Sequence, residues 1–198
     1  MLKTEGMTLV ELLIATALGA LVLSLSTSHI AFLHHSFQKM NRQIALKDEM
    51  RMLQQLLTAQ LQQANFVMRT ATALPETSEL KSSVAISQFD GELPNSCITF
   101  TTDKDHSGDI ELTGAEFVGF RLRDNAIEQS VSGALCDKKG WHDITDANTT
   151  TVESFNVSPL SLTSLGAVFA VNMKASCKKD STIKHTLSFT VTALNVRS

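Results

Sequence analysis

The sequence has no tyrosine, one tryptophan and three prolines among 198 residues, and one long stretch has no charge. From Leu12 to Phe37 there is no Asp, Glu, Lys or Arg. The apolar content of 43% is therefore unevenly spread, and the part after Pro75 has the Ser, Thr and Val of a soluble β-rich domain. With a formal net charge of −3, the chain as a whole is not an obvious polyanion-binding protein.

Motifs of catalysis are also missing. The sequence contains no Gly-rich phosphate loop, no H-E-x-x-H pair and no nucleophile elbow. His34 and His35 are adjacent, and adjacent helical residues point about 100° apart, so they are not expected to chelate one ion. We therefore predict that the chain is not an enzyme and that it has no nucleotide site.

The first segment differs from a cleavable secretory signal. Its short basic leader, with Lys3, ends at Gly6 before the apolar run, and no A-x-A-like site precedes the charged helix that follows. The run from Leu12 to Leu33 has about 22 residues, near the ~20 that cross ~30 Å of hydrocarbon. Hydropathy alone is equally consistent with an ordinary N-terminal membrane anchor.

The stretch EGMTLVE at the start of this run resembles the type IV prepilin motif: Gly, a bulky apolar residue, Thr-Leu, an aliphatic residue and Glu. The resemblance implies that a prepilin peptidase cuts between Gly6 and Met7 and methylates the new N-terminus. Residues 1–6 are then a leader peptide. Met7 stands where Phe is commonest in that family, and we still expect cleavage.

Glu11 is the only charge at the start of the apolar run. A lone ionised carboxylate within lipid costs at least ~2.5 kcal/mol. In the prepilin interpretation Glu11 becomes the fifth residue of the mature chain, and the new α-amino cation on Met7 of a neighbouring subunit offsets that cost. We therefore interpret Glu11 as a docking charge for assembly. The alternative is a Glu at the headgroup level with no partner.

One long helix is predicted from about Thr8 to about Met68, because no Pro or Gly occurs between Ala20 and Leu74. Residues 7–33 are expected to be its transmembrane or filament-core part, and residues 34–69 its amphipathic continuation, which packs on the C-terminal domain. A coiled coil is the alternative, but clear e/g charge pairing is missing. The apolar stripe consists of Leu46, Met50, Leu53, Leu57, Leu61 and Ala64.

The C-terminal part is predicted to be a connector, residues 70–95, followed by a β-rich head domain, residues 96–198. Asp124–Asn125 is a turn signal between two strand patterns and predicts a hairpin. A turn at 178–181 is expected to join the last two strands in antiparallel pairing. The predicted class is α+β, a long N-terminal helix packed on an antiparallel sheet, as in type IV pilins. Strands are predicted at 96–102, 116–124, 126–133, 151–160, 167–176 and 182–194.

Three cysteines, Cys97, Cys136 and Cys177, lie in this C-terminal part, and none forms a C-x-x-C pair. A membrane-targeting N-terminus places this part in an oxidising compartment, where one disulfide can form. We favour Cys97–Cys136, although sequence alone does not fix the pairing. One cysteine is then left over.

Several stretches, above all VGFRLRDNAIEQSVSGALCDKKGWHDIT, resemble PilW-type minor pilins, also described as prepilin peptidase-dependent protein B-like. The resemblance spans about residues 96–194. It implies a low-abundance subunit that primes or caps a type IV pilus, with its head first in the periplasm and then on the extracellular pilus. The implied partners are other major and minor pilins, the prepilin peptidase, the inner-membrane assembly machinery and membrane lipid.

Two other roles share this design. A pseudopilin of type II secretion has the same N-terminal pattern, and a tip-exposed head can serve as a DNA-uptake or adhesion module. Neither is separated from the minor-pilin interpretation by the sequence.

The stretch DKDHSGDIE has oxygen-bearing residues at alternating positions: Asp103, Asp105, Ser107 and Asp109. This pattern matches the first half of a calcium loop and makes a structural Ca²⁺ the one candidate cofactor. The twelfth position of such a loop should be Glu, but here it is Gly, so Glu111 or Glu116 would have to substitute. A polar turn of repelling carboxylates is the alternative.

A lysine cluster lies at the predicted end of the last hairpin, with only Asp180 opposing it in the sequence. Such a cluster can contact DNA phosphates. The alternative is a set of ordinary solubilising lysines. Trp141 is expected to be buried beside the helix rather than to stack on bases. The candidate DNA contacts are Lys174, Lys178, Lys179 and Lys184.

Overall fold

The computed structural model describes residues 6–67, 84–110, 114–130 and 133–196. One helix is followed by eight strands. Their bounds are α1 Leu9–Gln62, β1 Ala85–Ser87, β2 Cys97–Thr101, β3 Phe117–Arg123, β4 Ala126–Ser130, β5 Trp141–Asp143, β6 Thr150–Thr163, β7 Gly166–Cys177 and β8 Asp180–Ala193.

Helix α1 ends at Gln62, six residues before the predicted end at Met68, which lies outside the described residues. The last turn tightens, because Gln63 N–H donates to Gln60 O at 3.1 Å. Asn65 then adopts a left-handed conformation with φ 58°, which asparagine tolerates better than most residues. Its N–H donates to the carbonyl of Thr101 in β2 at 2.7 Å. In a continued helix this N–H would instead donate to a carbonyl of the preceding turn.

The chain divides into two units, residues 1–42 and residues 43–198. In the second unit, the predicted apolar stripe of α1 is buried and belongs to the same core as both sheets. This confirms the predicted helical stripe with its 3.6-residue periodicity. The stripe residues Leu46, Met50, Leu53, Leu57, Leu61 and Ala64 are each at most 3% exposed.

The first sheet has the order β1-β2-β3-β4-β5, with all neighbours antiparallel. Strands β3 and β4 form the predicted hairpin, with Arg123 opposite Ala126. Asp124 and Asn125 have φ 49° and 63°, and two positive φ values at the centre of a two-residue turn match the right-handed twist of a hairpin. Strands β1 and β5 were not predicted, because three residues are too short to show a period-2 pattern.

The second sheet has the order β6-β7-β8, again antiparallel. The structure therefore confirms the α+β class but contains two sheets, where the sequence suggested one. The turn between β7 and β8 is Lys178–Lys179, shorter than the predicted 178–181. Backbone bonds join β6 to loops of the first sheet: Val152 N–H donates to Asn125 O at 2.8 Å and Val157 N–H to Asn95 O at 2.9 Å.

Cys97 and Cys136 form a disulfide, the favoured pair, and Cys177 is free and buried. Trp141 is buried, but in a small separate cluster with this disulfide and Ala134 rather than beside the helix, so that part of the prediction was wrong. The reason is strand pairing: β5 pairs with β4, with Trp141 opposite Ser130. This places Trp141 on the edge strand of the first sheet that is opposite β1.

Arg121 is the largest fully buried side chain among the described residues. It stands opposite Cys97 on one side and opposite Glu128 on the other, so the sheet register brings the three together. Its Nε donates to Glu128 Oε2 at 2.5 Å, and Nη1 donates to the carbonyls of Cys136 and Lys138 at 2.6 and 3.0 Å.

Two aromatic rings flank the same guanidinium. Its Cζ lies 4.7 Å from the ring centroid of Phe89 and 4.5 Å from that of Trp141. Cation–π contact adds to the charged hydrogen bonds, and together they stabilise the positive charge out of water. Arg121 therefore ties the disulfide-closed loop to the centre of the first sheet.

Candidate functional sites

The helix begins at a pair of mutually bonded residues, Thr8 and Glu11. The Glu11 carboxylate accepts hydrogen bonds from Thr8 N–H at 2.9 Å and from the Thr8 hydroxyl at 2.8 Å, and Glu11 N–H donates to Thr8 Oγ1 at 3.3 Å. This reciprocal arrangement is a capping box. The sequence contains the signal for this box, T-L-V-E, and the box adds a role in helix capping to the predicted docking role of Glu11.

The capping box gives Glu11 a partner within its own chain. Its oxygens satisfy donors at the helix N-terminus, where the helix dipole favours negative charge. A carboxylate that would be costly in lipid is thus partly compensated in a single subunit. Gly6, on the other side of the expected cleavage point, has nothing within 4 Å of where a Cβ would be.

The apolar half of α1 is exposed along its length and includes a window that by length and composition could cross a membrane. Its mean hydropathy is 2.1, and none of that window is buried. Apolar surface of this extent marks a lipid or protein contact. Exposed aliphatic and aromatic residues of this half include Leu18 at 60%, Leu21 at 58%, Leu23 at 68%, Ile30 at 66% and Phe32 at 68%.

The acidic loop, residues 103–110, lies between β2 and β3 in the chain and is hydrogen-bonded to the segment just after α1. Asp103 N–H donates to Phe66 O at 2.8 Å, and Thr102 N–H donates to Glu116 O at 2.8 Å. His106 and Gly108 have φ 61° and 89°, which turns the chain back on itself. Asp103 and Glu116 are buried, while Asp105 is exposed.

Three carboxylates converge in this loop: one oxygen each from Asp103, Asp105 and Glu116, all within 4.8 Å of one another. No other group of three or more His, Cys, Asp or Glu side chains in residues 6–67, 84–110, 114–130 and 133–196 is placed to hold a metal. Glu116 thus takes the place that the sequence left open, while Glu111 lies outside the described residues. Asp109 does not belong to the group, and the Ser107 hydroxyl donates to the Asp109 carbonyl at 3.2 Å.

Backbone N–H groups donate hydrogen bonds to carboxylates of this site. Asp103 accepts from Ser107 N–H and Gly108 N–H, each at 3.0 Å. Asp105 accepts from Ser107 N–H at 2.9 Å, and this bond lowers the pKa of the Asp105 carboxyl. Three carboxylates suit a hard cation such as Ca²⁺, which takes six to eight oxygens and often includes water. The calcium site therefore stays a prediction, with Asp103, Asp105 and Glu116 as its ligands.

If the loop binds calcium, millimolar Ca²⁺ should raise the midpoint of thermal unfolding of the full chain in detergent. Asp105→Asn should remove most of the shift, since it deletes one of three converging charges. Asp109→Asn is the matched control and should keep the shift, because Asp109 lies in the same loop outside the group. Equal shifts in both variants, or no shift in the wild type, would contradict the prediction.

The lysine cluster is less positive in the structure than in the sequence. Glu153 on β6 pairs with Lys174 at 3.0 Å and with Lys184 at 2.7 Å, a contact across three strands that the sequence did not reveal. Lys178 Nζ donates to the Ala147 carbonyl at 2.7 Å. The predicted DNA contacts therefore come together only in part, and two of the four are engaged by one carboxylate.

The two lysines lower the pKa of Glu153 to about 2, Lys184 having the larger effect. The carboxyl has an ordinary pKa of 4.5, so the stabilisation is fully present above that pH and is lost as pH falls through about 2. Glu153→Gln should lower the free energy of unfolding by about 1 kcal/mol near neutral pH, as expected for two partly exposed pairs.

The pH dependence is the sharper measurement for Glu153. The difference in unfolding free energy between wild type and Glu153→Gln should shrink steadily from pH 4.5 towards pH 2. Asp124→Asn is the control, since its pair with Arg123 is far more exposed, with 87% of the Asp124 side chain in solvent. A Glu153→Gln difference that does not change with pH would contradict this account.

Comparison with known proteins gives two matches. The family model described as prepilin peptidase-dependent protein B matches residues 39–193. The chain is also 25% identical over 197 residues to the prepilin peptidase-dependent protein B of Escherichia coli (strain K12), an alignment that covers 98% of each protein. No solved structure matches.

Proposed function

Since the chain belongs to the prepilin peptidase-dependent protein B family, we propose that it is a minor pilin of a type IV pilus. In this proposal a prepilin peptidase removes residues 1–6 and methylates Met7. The mature subunit is anchored in the inner membrane with its head in the periplasm. It then enters the pilus near the tip and helps to start assembly, together with other pilins and the inner-membrane machinery.

The observation that carries this proposal is the N-terminal constellation. Gly6 and Met7 stand directly before a capping box, Thr8 with Glu11, and the exposed apolar half of α1 follows. Cleavage after Gly6 exposes a cation one residue before the cap. Each part has a role in a helix that is first held in lipid and then buried among sibling helices.

Assembly is proposed to move the Glu11 carboxylate from an internal partner to an external one. In the membrane, Thr8 supplies two hydrogen bonds to it. In the filament, the α-amino group of a neighbouring Met7 supplies a full positive charge, which is a stronger partner in a low dielectric. Burial of Leu18, Leu21 and Leu23 against neighbouring helices supplies affinity, and the charge pair sets the axial register.

Lipid does not favour helix association by the hydrophobic effect, because lipid tails are as apolar as leucine. Extraction therefore needs work from partner proteins, as this chain has no nucleotide-binding motif in its sequence. DNA binding by the head is not part of this proposal, because Glu153 pairs with two of the four candidate lysines.

Deletion of the gene tests the proposal. Surface pili counted by electron microscopy should be lost or strongly reduced and should return on expression of the full chain in trans. Type II secretion should be unchanged in the same strain. Normal piliation with defective secretion would instead indicate a pseudopilin and would overturn the minor-pilin proposal.

A further inference from the structure

The described strands leave four sheet edges, and three of them are short or protected. Strands β1 and β5 have three residues each. Strand β6 contains Pro159 and two register shifts, after Val152 and after Pro159. Short strands, proline and bulges are devices that keep an edge from pairing with another chain.

The fourth edge, β8, has none of these devices over Thr186–Ala193. These eight residues, TLSFTVTA, contain no charge, proline or glycine. Their pairing with β7 is continuous, since the shift in that ladder lies at Ser176/Cys177. Among the residues that the structure describes, no strand pairs with the outer side of β8. A long, uncharged edge of this kind is a template for strand addition.

The two faces of this edge differ. Thr186, Ser188, Thr190 and Thr192 are exposed on one face, whereas Leu187 and Phe189 are half-buried on the other and pack against the core. A strand added beside β8 would extend the sheet and cover the exposed parts of Leu187 and Phe189. The edge therefore offers both backbone groups and apolar surface.

We propose that the edge Thr186–Ala193 binds the same edge of a second copy of this chain, in antiparallel pairing centred on Phe189. In this register Phe189 faces its counterpart and Leu187 faces Val191. On the other face Ser188 pairs with Thr190, and Thr186 pairs with Thr192. Aromatic, aliphatic and Ser–Thr pairs are favourable across antiparallel strands.

Charge also permits this self-pairing. The nearest lysine, Lys184, stands opposite position 194 of the other copy, which is Leu194, so no like charges meet. Lys184 is moreover already paired with Glu153 of its own chain. A symmetric contact needs a self-complementary surface, and this uncharged edge places polar residues opposite polar ones and apolar residues opposite apolar ones.

Cysteine cross-linking of the full chain in detergent tests the pairing and its register. Chains with Thr186→Cys and chains with Thr192→Cys should form a disulfide dimer when mixed and mildly oxidised, and each alone should not. Both positions are exposed, and the native free cysteine is buried. Apolar helices that meet inside a micelle would not select this register. A dimer that forms only from the mixture of the two variants therefore reports pairing through β8.

A charge variant gives the matched comparison. Thr190→Lys should reduce cross-linking of the mixed pair about tenfold or more, because it puts a protective lysine on the edge. Asn172→Lys puts the same charge on an exposed position of the central strand β7, opposite Ser188, and should leave the yield unchanged.

Several results would overturn the proposal. They are absence of the mixed dimer, equal self-linking by each variant alone, and equal loss with Thr190→Lys and Asn172→Lys. If another protein, or residues 68–83 of the same chain, covers the edge, the mixed dimer does not form.

Discussion

Glu11→Gln is expected to prevent incorporation of the subunit into pili while leaving its membrane level unchanged. The neutral amide cannot pair with the α-amino cation of a neighbour, and that cation would then be buried without a counter-charge. Loss of one partner of a buried pair costs about 3–5 kcal/mol, which is on the order of a hundredfold or more in affinity at each docking contact. Immunoblotting of sheared pili against membranes measures the effect.

This variant separates the two roles of Glu11. Glutamine also serves at the third helical position of a capping box, so Glu11→Gln keeps the helix start and removes only the charge. Glu11→Ala removes both, and the two variants should be equally defective if the charge is what matters. Wild-type incorporation of Glu11→Gln together with failure of Glu11→Ala would show that Glu11 acts as a cap alone.

Arg121→Met is expected to destabilise the head by about 3–5 kcal/mol. It leaves the buried carboxylate of Glu128 without its cation and the carbonyls of Cys136 and Lys138 without their donor. Denaturant unfolding of the oxidised full chain, followed by fluorescence of Trp141, measures this loss. Trp141 is the only tryptophan and packs on the guanidinium, so it reports on this site directly.

Arg123→Ala is the control for Arg121. Arg123 stacks on the same Phe89 ring, at 4.6 Å, but its side chain is 38% exposed and its partner Asp124 is in solvent. The expected cost is below about 1 kcal/mol. If Arg121→Met costs no more than Arg123→Ala, Arg121 is not what holds the disulfide loop to the sheet.

The sequence was sufficient where structure depends on neighbours along the chain. The apolar stripe from Leu46 to Ala64 follows from helical periodicity, and the turn at Asp124–Asn125 follows from the tolerance of those residues for positive φ. Thr8 and Glu11 also carried a complete local signal. The spacing of three residues between threonine and glutamate predicts this capping box without any tertiary contact.

The sequence was insufficient where contacts join distant positions. Glu153 lies 21 and 31 residues from its two lysines, and only the register of β6, β7 and β8 brings them together. Burial of Arg121 likewise needs Cys97, Glu128 and the loop after β4 to meet. Burial of an arginine contradicts its intrinsic preference, so no composition rule points to it.

The same limit applies to the acidic loop and to the end of α1. Glu116 comes to Asp103 and Asp105 through the pairing of β2 with β3, not through spacing in a calcium motif. The helix ends early because Thr101, 36 residues after Asn65, accepts the Asn65 N–H. Tertiary hydrogen bonds, which a periodicity argument does not contain, decide both features.

Intact-mass analysis of the protein extracted from membranes of cells that possess the peptidase tests the central claim most directly. The account predicts a chain that starts at Met7, carries one methyl group on that residue, and has one disulfide. A chain that still begins at Met1 would contradict it, because the amine that Glu11 is proposed to bind would then not exist.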